Sequence, residues 1–270
     1  MINHLKKIAG YLLYYTGLYA LLNACCRRKG VCILMYHRLA EGRGSSGASG
    51  VPEGNGFERQ VRYLVKRFRL VSMDEAAAML QQKRKLQEDC LVLTLDDGYR
   101  DNLEKGLDIF EKYTVHPTLY VASGEIDGQC GFHDGAAGGG ERLLLNWEEI
   151  RRLAAAGVDI GGHTLSHPDL TALRRDEMLA ELKLGKRLAE RHLSVPVRHF
   201  AYPYGLYNRE IRNEAEKLYD TAVTTRPGVN YPRDDLYELK RIGVTPDLDL
   251  TSLKIRLLKA KIFGRAGCWR

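Results

Sequence analysis

The sequence predicts an α/β fold in which a parallel sheet is rolled into a closed or nearly closed barrel. Three observations carry that prediction. Seven short apolar runs alternate with amphipathic stretches, the signature of strand–helix units that pair in parallel. Residues with chemistry to offer stand at the C-terminal ends of four of the runs, where barrels of this kind assemble their sites. The 270 residues suffice for one large core, as expected of a single α/β barrel.

The elements follow in order. Val31–Tyr36 is an unbroken apolar run that stops at His37, and it reads as the first strand. Phe57–Phe68 and Asp74–Gln82 read as amphipathic helices. Cys90–Thr94 is a second apolar strand, closed off by Asp96-Asp97-Gly98. Asn102–Tyr113 reads as a helix, and Asp101 followed by Glu104 predicts a capping box at its start. Strands over Pro117–Ala122, Val158–Gly162, Val197–Tyr202, Tyr219–Thr224 and Glu238–Val244 follow, with helices over Trp147–Ala156, Arg174–His192 and Asn208–Leu218 between them. The glycine-rich stretches Gly42–Gly56 and Ser123–Gly140 read as loops long enough to act as lids or substrate borders, or as featureless loops, with His133 and Asp134 as surface residues. Of the six cysteines none has metal-finger spacing, and Cys32 and Cys90 read as small buried strand residues.

Two motifs define the chemistry. Thr94-Leu95-Asp96-Asp97-Gly98-Tyr99 places two carboxylates at a strand end, and His163-Thr164-Leu165-Ser166-His167-Pro168 supplies two imidazoles at i,i+4. One carboxylate with two imidazoles makes an open divalent-metal site, leaving the second carboxylate as a base for the attacking water. That donor set points to a metal-dependent hydrolase. The same ligand types serve non-haem iron oxygenases, but that chemistry leaves the paired aspartates unexplained.

Together with Phe200-Ala201-Tyr202-Pro203-Tyr204-Gly205, these motifs resemble those of the NodB-like polysaccharide deacetylases, carbohydrate esterase family 4. The resemblance runs from about Val31 to Val244 and includes Met35-Tyr36-His37-Arg38 and Phe57-Glu58-Arg59-Gln60. It implies a distorted (β/α)7 barrel. By position it makes Asp97, His163 and His167 the metal ligands and Asp96 the general base. It also implies that the backbone N–H of Tyr204 faces the substrate carbonyl, where a donor shares the developing oxyanion charge.

Some family features are missing. The position two residues before Pro203, where many members carry an arginine that braces the base, is Ala201, and no histidine follows His199 to supply the usual late acid. His37, at the end of the first strand, takes the place of that acid. The arrangement resembles the branch of the family in which the corresponding strand comes first, poly-N-acetylglucosamine deacetylases among them. Arg241, in the last strand run, is the candidate replacement brace.

The net charge of +7 is concentrated at the two ends. Residues 1–30 carry +5 without an acid, residues 249–270 carry another +5, and the body between is near −3. A body of that sign argues against nucleic acid. Ile8–Ala24 has no charge and holds four tyrosines, slightly short of a spanning helix but suited to a membrane interface. The expected organisation is therefore a membrane-associating segment over 1–30, a catalytic domain over 31–248 and a basic amphipathic tail over 249–270. An anionic membrane surface, the bacterial inner membrane, is the expected location, with a soluble cytoplasmic protein as the alternative.

The expected activity is removal of N-acetyl groups from an N-acetylhexosamine-containing polysaccharide or glycolipid. Zn2+ is the first candidate cofactor, and Co2+, Ni2+ or Fe2+ suit the same donors. A catalytically degenerate glycan-binding protein, an O-deacetylase or a deformylase of the same fold is the alternative.

Overall fold

The computed structural model describes residues 28–39, 56–82, 84–128 and 144–263, together with Thr16 and Leu22. Its strands are β1 (Val31–Tyr36), β2 (Arg69–Leu70), β3 (Cys90–Leu95), β4 (Thr118–Val121), β5 (Asp159–Gly162), β6 (His199–Ala201), β7 (Thr221–Val223) and β8 (Ile242–Gly243). They pair in parallel in the order β7-β6-β5-β4-β3-β1-β8. Along one edge of β3, β2 pairs at Cys90 and β4 takes over from Thr94.

The chain entering β8 completes the ring. Leu239 bridges in parallel to Val223, donating its amide to Ala222 and accepting from the Thr224 amide. Three residues later Ile242 pairs with Leu34 on β1. The distorted (β/α)7 barrel is the fold the chain adopts, with Arg69–Leu70 as an additional two-residue strand. The run Glu238–Val244 is thus a strap between both sheet edges rather than one continuous strand.

The helices are α1 (Gly56–Val65), α2 (Met73–Gln81), α3 (Asp101–Glu104), α4 (Leu107–Tyr113), α5 (Trp147–Ala155), α6 (Arg175–Leu193), α7 (Arg209–Leu218) and α8 (Leu250–Phe263). Alternation along the strands sorts apolar side chains into two cores. Val31, Ile33, Cys90, Val92, Tyr120, Ala201, Val223 and Leu239 form the interior cluster, which Met73, Ala76 and Leu80 of α2 join. Cys32, Leu34, Tyr36, Leu91, Leu93 and Leu95 belong to the larger cluster under the outer helices. There Phe57 stands edge-on to both Tyr36 and Phe110; burying a ring of that size contributes about 1.5–3 kcal/mol.

Three expectations change on the structure. The helix expected over Asn102–Tyr113 is two helices, broken at Gly106. A Cβ there would lie 2.2 Å from the Asn102 carbonyl and 2.7 Å from the Phe110 ring. The capping box at Asp101 does not form, because Arg100 is the N-cap and Asp101 is already helical. Its carboxylate instead accepts from Asn102 Nδ2 at 3.2 Å and faces Arg38 at 3.9 Å. Capping boxes do form at Ser72–Glu75 and Asn146–Glu149, where each cap contributes about 1 kcal/mol.

The third concerns the amphipathic tail expected over 249–270, of which residues 264–270 lie outside the described residues. Helix α8 packs against α1 and β8, with Leu253, Ile255, Leu257, Leu258 and Ala260 buried. Gln60 of α1 donates to the carbonyls of Thr245 and Leu248 just before it. Lys261 reaches Asp89 at 2.7 Å, and Lys29 meets the same carboxylate at 3.2 Å. The apolar residues of this basic segment are therefore packed on the body. Apart from Thr16, Leu22 and residues 28–30, the N-terminal segment lies outside the described residues, as do most of both glycine-rich loops, His133 and Asp134. Among the described residues no helix is long and apolar enough to cross a membrane.

Candidate metal centre

The period-two register of the barrel interior delivers the first three functional side chains. Val31 and Ile33 face inward, so His37 continues their direction past the end of β1. Cys90 and Val92 do the same for Asp96 on β3, and the Asp96 amide donates to the Tyr36 carbonyl at 2.9 Å. On β5, Gly161 lies against the interior Tyr120 ring, which places His163 on the same inward face. Beyond Asp96 the alternation is broken on purpose: Asp97 and Gly98 take φ values of 73° and 75°. This left-handed turn lets Asp97 follow Asp96 into the mouth instead of pointing back toward the helices.

Asp97, His163 and His167 converge. Their ligand atoms all lie within 4.8 Å of one another. Asp97 Oδ1 is 3.5 Å from His163 Nε2 and 3.6 Å from His167 Nε2, and the two Nε2 atoms are 3.1 Å apart. His163 donates Nδ1–H to the Ala201 carbonyl at 2.7 Å, which turns its Nε2 toward Asp97 and His167. Burial pulls the His163 pKa down, but the Asp97 hydrogen bond and both aspartate charges carry it above the usual value. Burial and the neighbouring His163 push His167 down to about 4. Two ring nitrogens and a carboxylate oxygen aimed at one point are a donor set that fits a divalent cation.

The loop that carries both imidazoles is held in an unusual shape. Thr164 and His167 both have positive φ, 71° and 57°, conformations that cost about 1–3 kcal/mol each for such residues. The Thr164 hydroxyl bonds the His163 carbonyl and accepts from the His167 amide at 3.0 Å.

Asp96 is 2 % exposed and is not one of the three grouped ligands; Arg241 holds it. Nη1 and Nη2 donate to Oδ1 and Oδ2, each at 2.7 Å. Arg241 is itself fixed by Nε donating to the Thr224 carbonyl and Nη1 to the Thr94 hydroxyl, at 2.9 and 3.2 Å. Burial alone raises the Asp96 pKa, but the Arg241 charge and hydrogen bonds outweigh it, and the carboxyl falls below its ordinary value. Asp96 is therefore a carboxylate at neutral pH.

His37 lies at the rim, its side chain about half exposed and Nε2 4.0 Å from Asp97 Oδ2. Tyr204 has φ 58° in a turn whose own hydrogen bonds use the Gly205 and Leu206 amides. Its ring is exposed and stands edge-on to His167 at 4.7 Å. All seven residues singled out from the sequence thus sit at one end of the barrel. His199 does not: it lies at the strand starts, where Nε2 meets Asp74 of α2 at 3.1 Å. Sequence reading missed Thr94 and Thr224, which seat Arg241, and Glu181 of α6, which bonds the His163–His167 loop. The inward alternation Thr94–Asp96 carried a signal for the first; nothing local marked the other two.

The model of the family described as polysaccharide deacetylase matches residues 83–223, over half the chain. The chain belongs to the polysaccharide deacetylase family. Among curated relatives, the Bacillus subtilis (strain 168) protein YxkH, whose name carries the words polysaccharide deacetylase, is 29% identical over 218 residues. That match covers 80% of this deacetylase and 72% of YxkH. A chitooligosaccharide deacetylase of Rhizobium leguminosarum bv. trifolii is 24% identical, covering 57% and 67% of the two chains. The fold of the Streptococcus pyogenes deacetylase PplD, solved in complex with acetate, superposes with a TM-score of 0.70 at 24% identity. The match spans 84% of this deacetylase and 97% of PplD. IcaB from Ammonifex degensii matches at a TM-score of 0.63 and 20% identity, over 84% and 96%.

Proposed function

We propose that this deacetylase is metal-dependent and removes N-acetyl groups from an N-acetylhexosamine-containing polysaccharide or glycolipid. One observation carries the reading: the Asp97–His163–His167 cluster stands beside a second, ionised carboxylate, Asp96. The names of the chitooligosaccharide deacetylases among the relatives support an acetylated glycan as the substrate class.

Asp97 Oδ1 and the two Nε2 atoms would hold the ion, zinc first, with cobalt, nickel and iron suited to the same donors. Held there, a divalent ion would supply Lewis-acid chemistry, lowering the pKa of the attacking water to ~7. Asp96 takes the proton of that water on a carboxylate lone pair not engaged by Arg241. Arg241 keeps the base charged, and its two bonds fix the carboxylate plane. The Tyr204 N–H donates to the oxyanion that develops on the acyl oxygen. His37 passes a proton to the departing amine; imidazole is the side chain suited to that role near neutral pH.

Acetate release from N-acetylglucosamine oligomers, with and without chelator, tests the reading. Chelator-sensitive release that zinc or cobalt restores is the expected result. Release that persists after complete metal removal would overturn it. We assign association with an anionic membrane surface to residues 1–30, whose five basic residues flank an uncharged apolar stretch. Flotation of the full chain with anionic vesicles, before and after reversing the charges of Lys6, Lys7, Arg27, Arg28 and Lys29, tests that assignment.

A further inference from the structure

We propose that Glu181, on α6, is a positioning residue for the metal centre: its carboxylate fixes the loop between His163 and His167 and so sets the spacing of the two ring nitrogens. The inference rests on the metal-centre reading above. Glu181 Oε2 accepts from the consecutive amides of Leu165 and Ser166, each at 2.9 Å. Oε1 accepts from the Ser166 hydroxyl at 2.7 Å. Three donors from two consecutive residues therefore end on one carboxylate. Consecutive backbone N–H groups that share an acceptor form an anion-binding concavity, and bonds to an ionised acceptor are about twice as strong as neutral ones.

The helix is shaped to let the loop come this close. Gly185 follows Glu181 by one turn on the same face of α6. A Cβ at 185 would stand 2.5 Å from the Thr164 carbonyl carbon and 2.7 Å from the Leu165 nitrogen. The Gly185 carbonyl also accepts from the Ser123 hydroxyl at 2.8 Å. From the other side, the amides of Ser123 and Gly124 donate to the carbonyls of Thr164 and Leu165, at 3.2 and 2.7 Å. The loop is thus clamped between the turn after β4 and the Glu181–Gly185 face of α6.

A role beyond folding follows from what the loop ends on. Both termini of the clamped stretch are candidate ligands, and both Thr164 and His167 hold left-handed backbone. Such geometry persists only where the surroundings over-determine it. Freed from Glu181, the peptides at 165 and 166 can rotate, and the imidazole of His167 moves with them. Among the described residues the hydrogen bonds of Glu181 go to Leu165 and Ser166 rather than to the ligand side chains, so its effect passes through the loop.

Cobalt titration of the metal-stripped full-length protein tests this, read by the visible d–d bands and by competition with a chelator. Glu181→Gln keeps the shape but removes the charge and one acceptor oxygen. It is expected to weaken cobalt binding about tenfold and to alter the d–d bands, within the 10–100-fold range typical of residues that orient metal ligands. Glu181→Ala is expected to lose more. A lower Tm of the metal-free E181Q protein with wild-type cobalt affinity and bands would assign Glu181 to the fold alone and overturn the proposal. Wild-type protein that binds no cobalt, or binds it equally well as Asp97→Asn, would instead bring down the metal-centre reading.

Discussion

Arg241 and Asp96 meet through two parallel 2.7 Å hydrogen bonds across 145 residues of chain. Their side chains are 0% and 3% exposed, so neither charge has water to fall back on. Removing one partner of such a pair strands the other and costs about 3–5 kcal/mol. Arg241→Met should lower unfolding stability at neutral pH by that amount in urea denaturation. A loss under about 1 kcal/mol would show that Asp96 finds other compensation.

The two adjacent aspartates should separate by experiment. Asp97→Asn removes a ligand and is expected to abolish tight metal binding, measured by metal analysis after dialysis. Asp96→Asn is expected to keep the metal while kcat falls about 10²–10⁴-fold, the usual contribution of a general base. Undiminished turnover by D96N would remove Asp96 from the mechanism.

His37→Gln should be selective for the leaving group. With an N-acetylated sugar the amine needs a proton, and kcat is expected to drop about 10²-fold or more. With an activated aryl acetate the leaving phenolate needs none, and the rate should hold. Equal losses on both substrates would place His37 in binding rather than in proton transfer.

Gly161→Ala probes the floor beneath the site. The new Cβ would lie 2.4 Å from the Tyr120 ring and 3.0 Å from the His199 carbonyl, with the Arg241 guanidinium 5.7 Å from the centre of that ring. Overpacking of this kind costs about 1–3 kcal/mol. Thermal unfolding should report the loss, and a wild-type Tm would show that Tyr120 has room to retreat.

Cys32 should be chemically silent. Burial is the main reason its thiol is pushed up to about 12, which leaves about 10⁻⁴ as thiolate at pH 8. Native alkylation with iodoacetamide followed by peptide mass spectrometry should find Cys32 unmodified. Rapid labelling would mean that the β1 region opens to solvent.

Most of the fold was legible because strand alternation is a local property. The run Val31–Tyr36 has the bounds of β1, and the same two-residue period carries His37, Asp96 and Arg241 to the interior. β2 escaped because two residues, one of them Arg69, hold no pattern. Helix α8 looked like a basic amphipathic tail because four basic residues and no acid are interleaved with its apolar ones. Only packing shows that Lys261 turns inward to Asp89. The Asp101–Glu104 spacing imitates a capping box, but the distant Arg38 and the adjacent Asn102 claim the carboxylate. Glu181 was invisible for a related reason: on an amphipathic helix it reads as one more polar residue, and its partners lie on a separate loop.

The strap that closes the barrel comes late in the chain, and it carries Arg241. During synthesis the double-aspartate turn leaves the ribosome long before its counter-ion exists. A nascent chain that stops short of residue 241 holds the candidate ligand residues but lacks the guanidinium that offsets the Asp96 charge. Hydrolytic competence would then depend on the strap having been made.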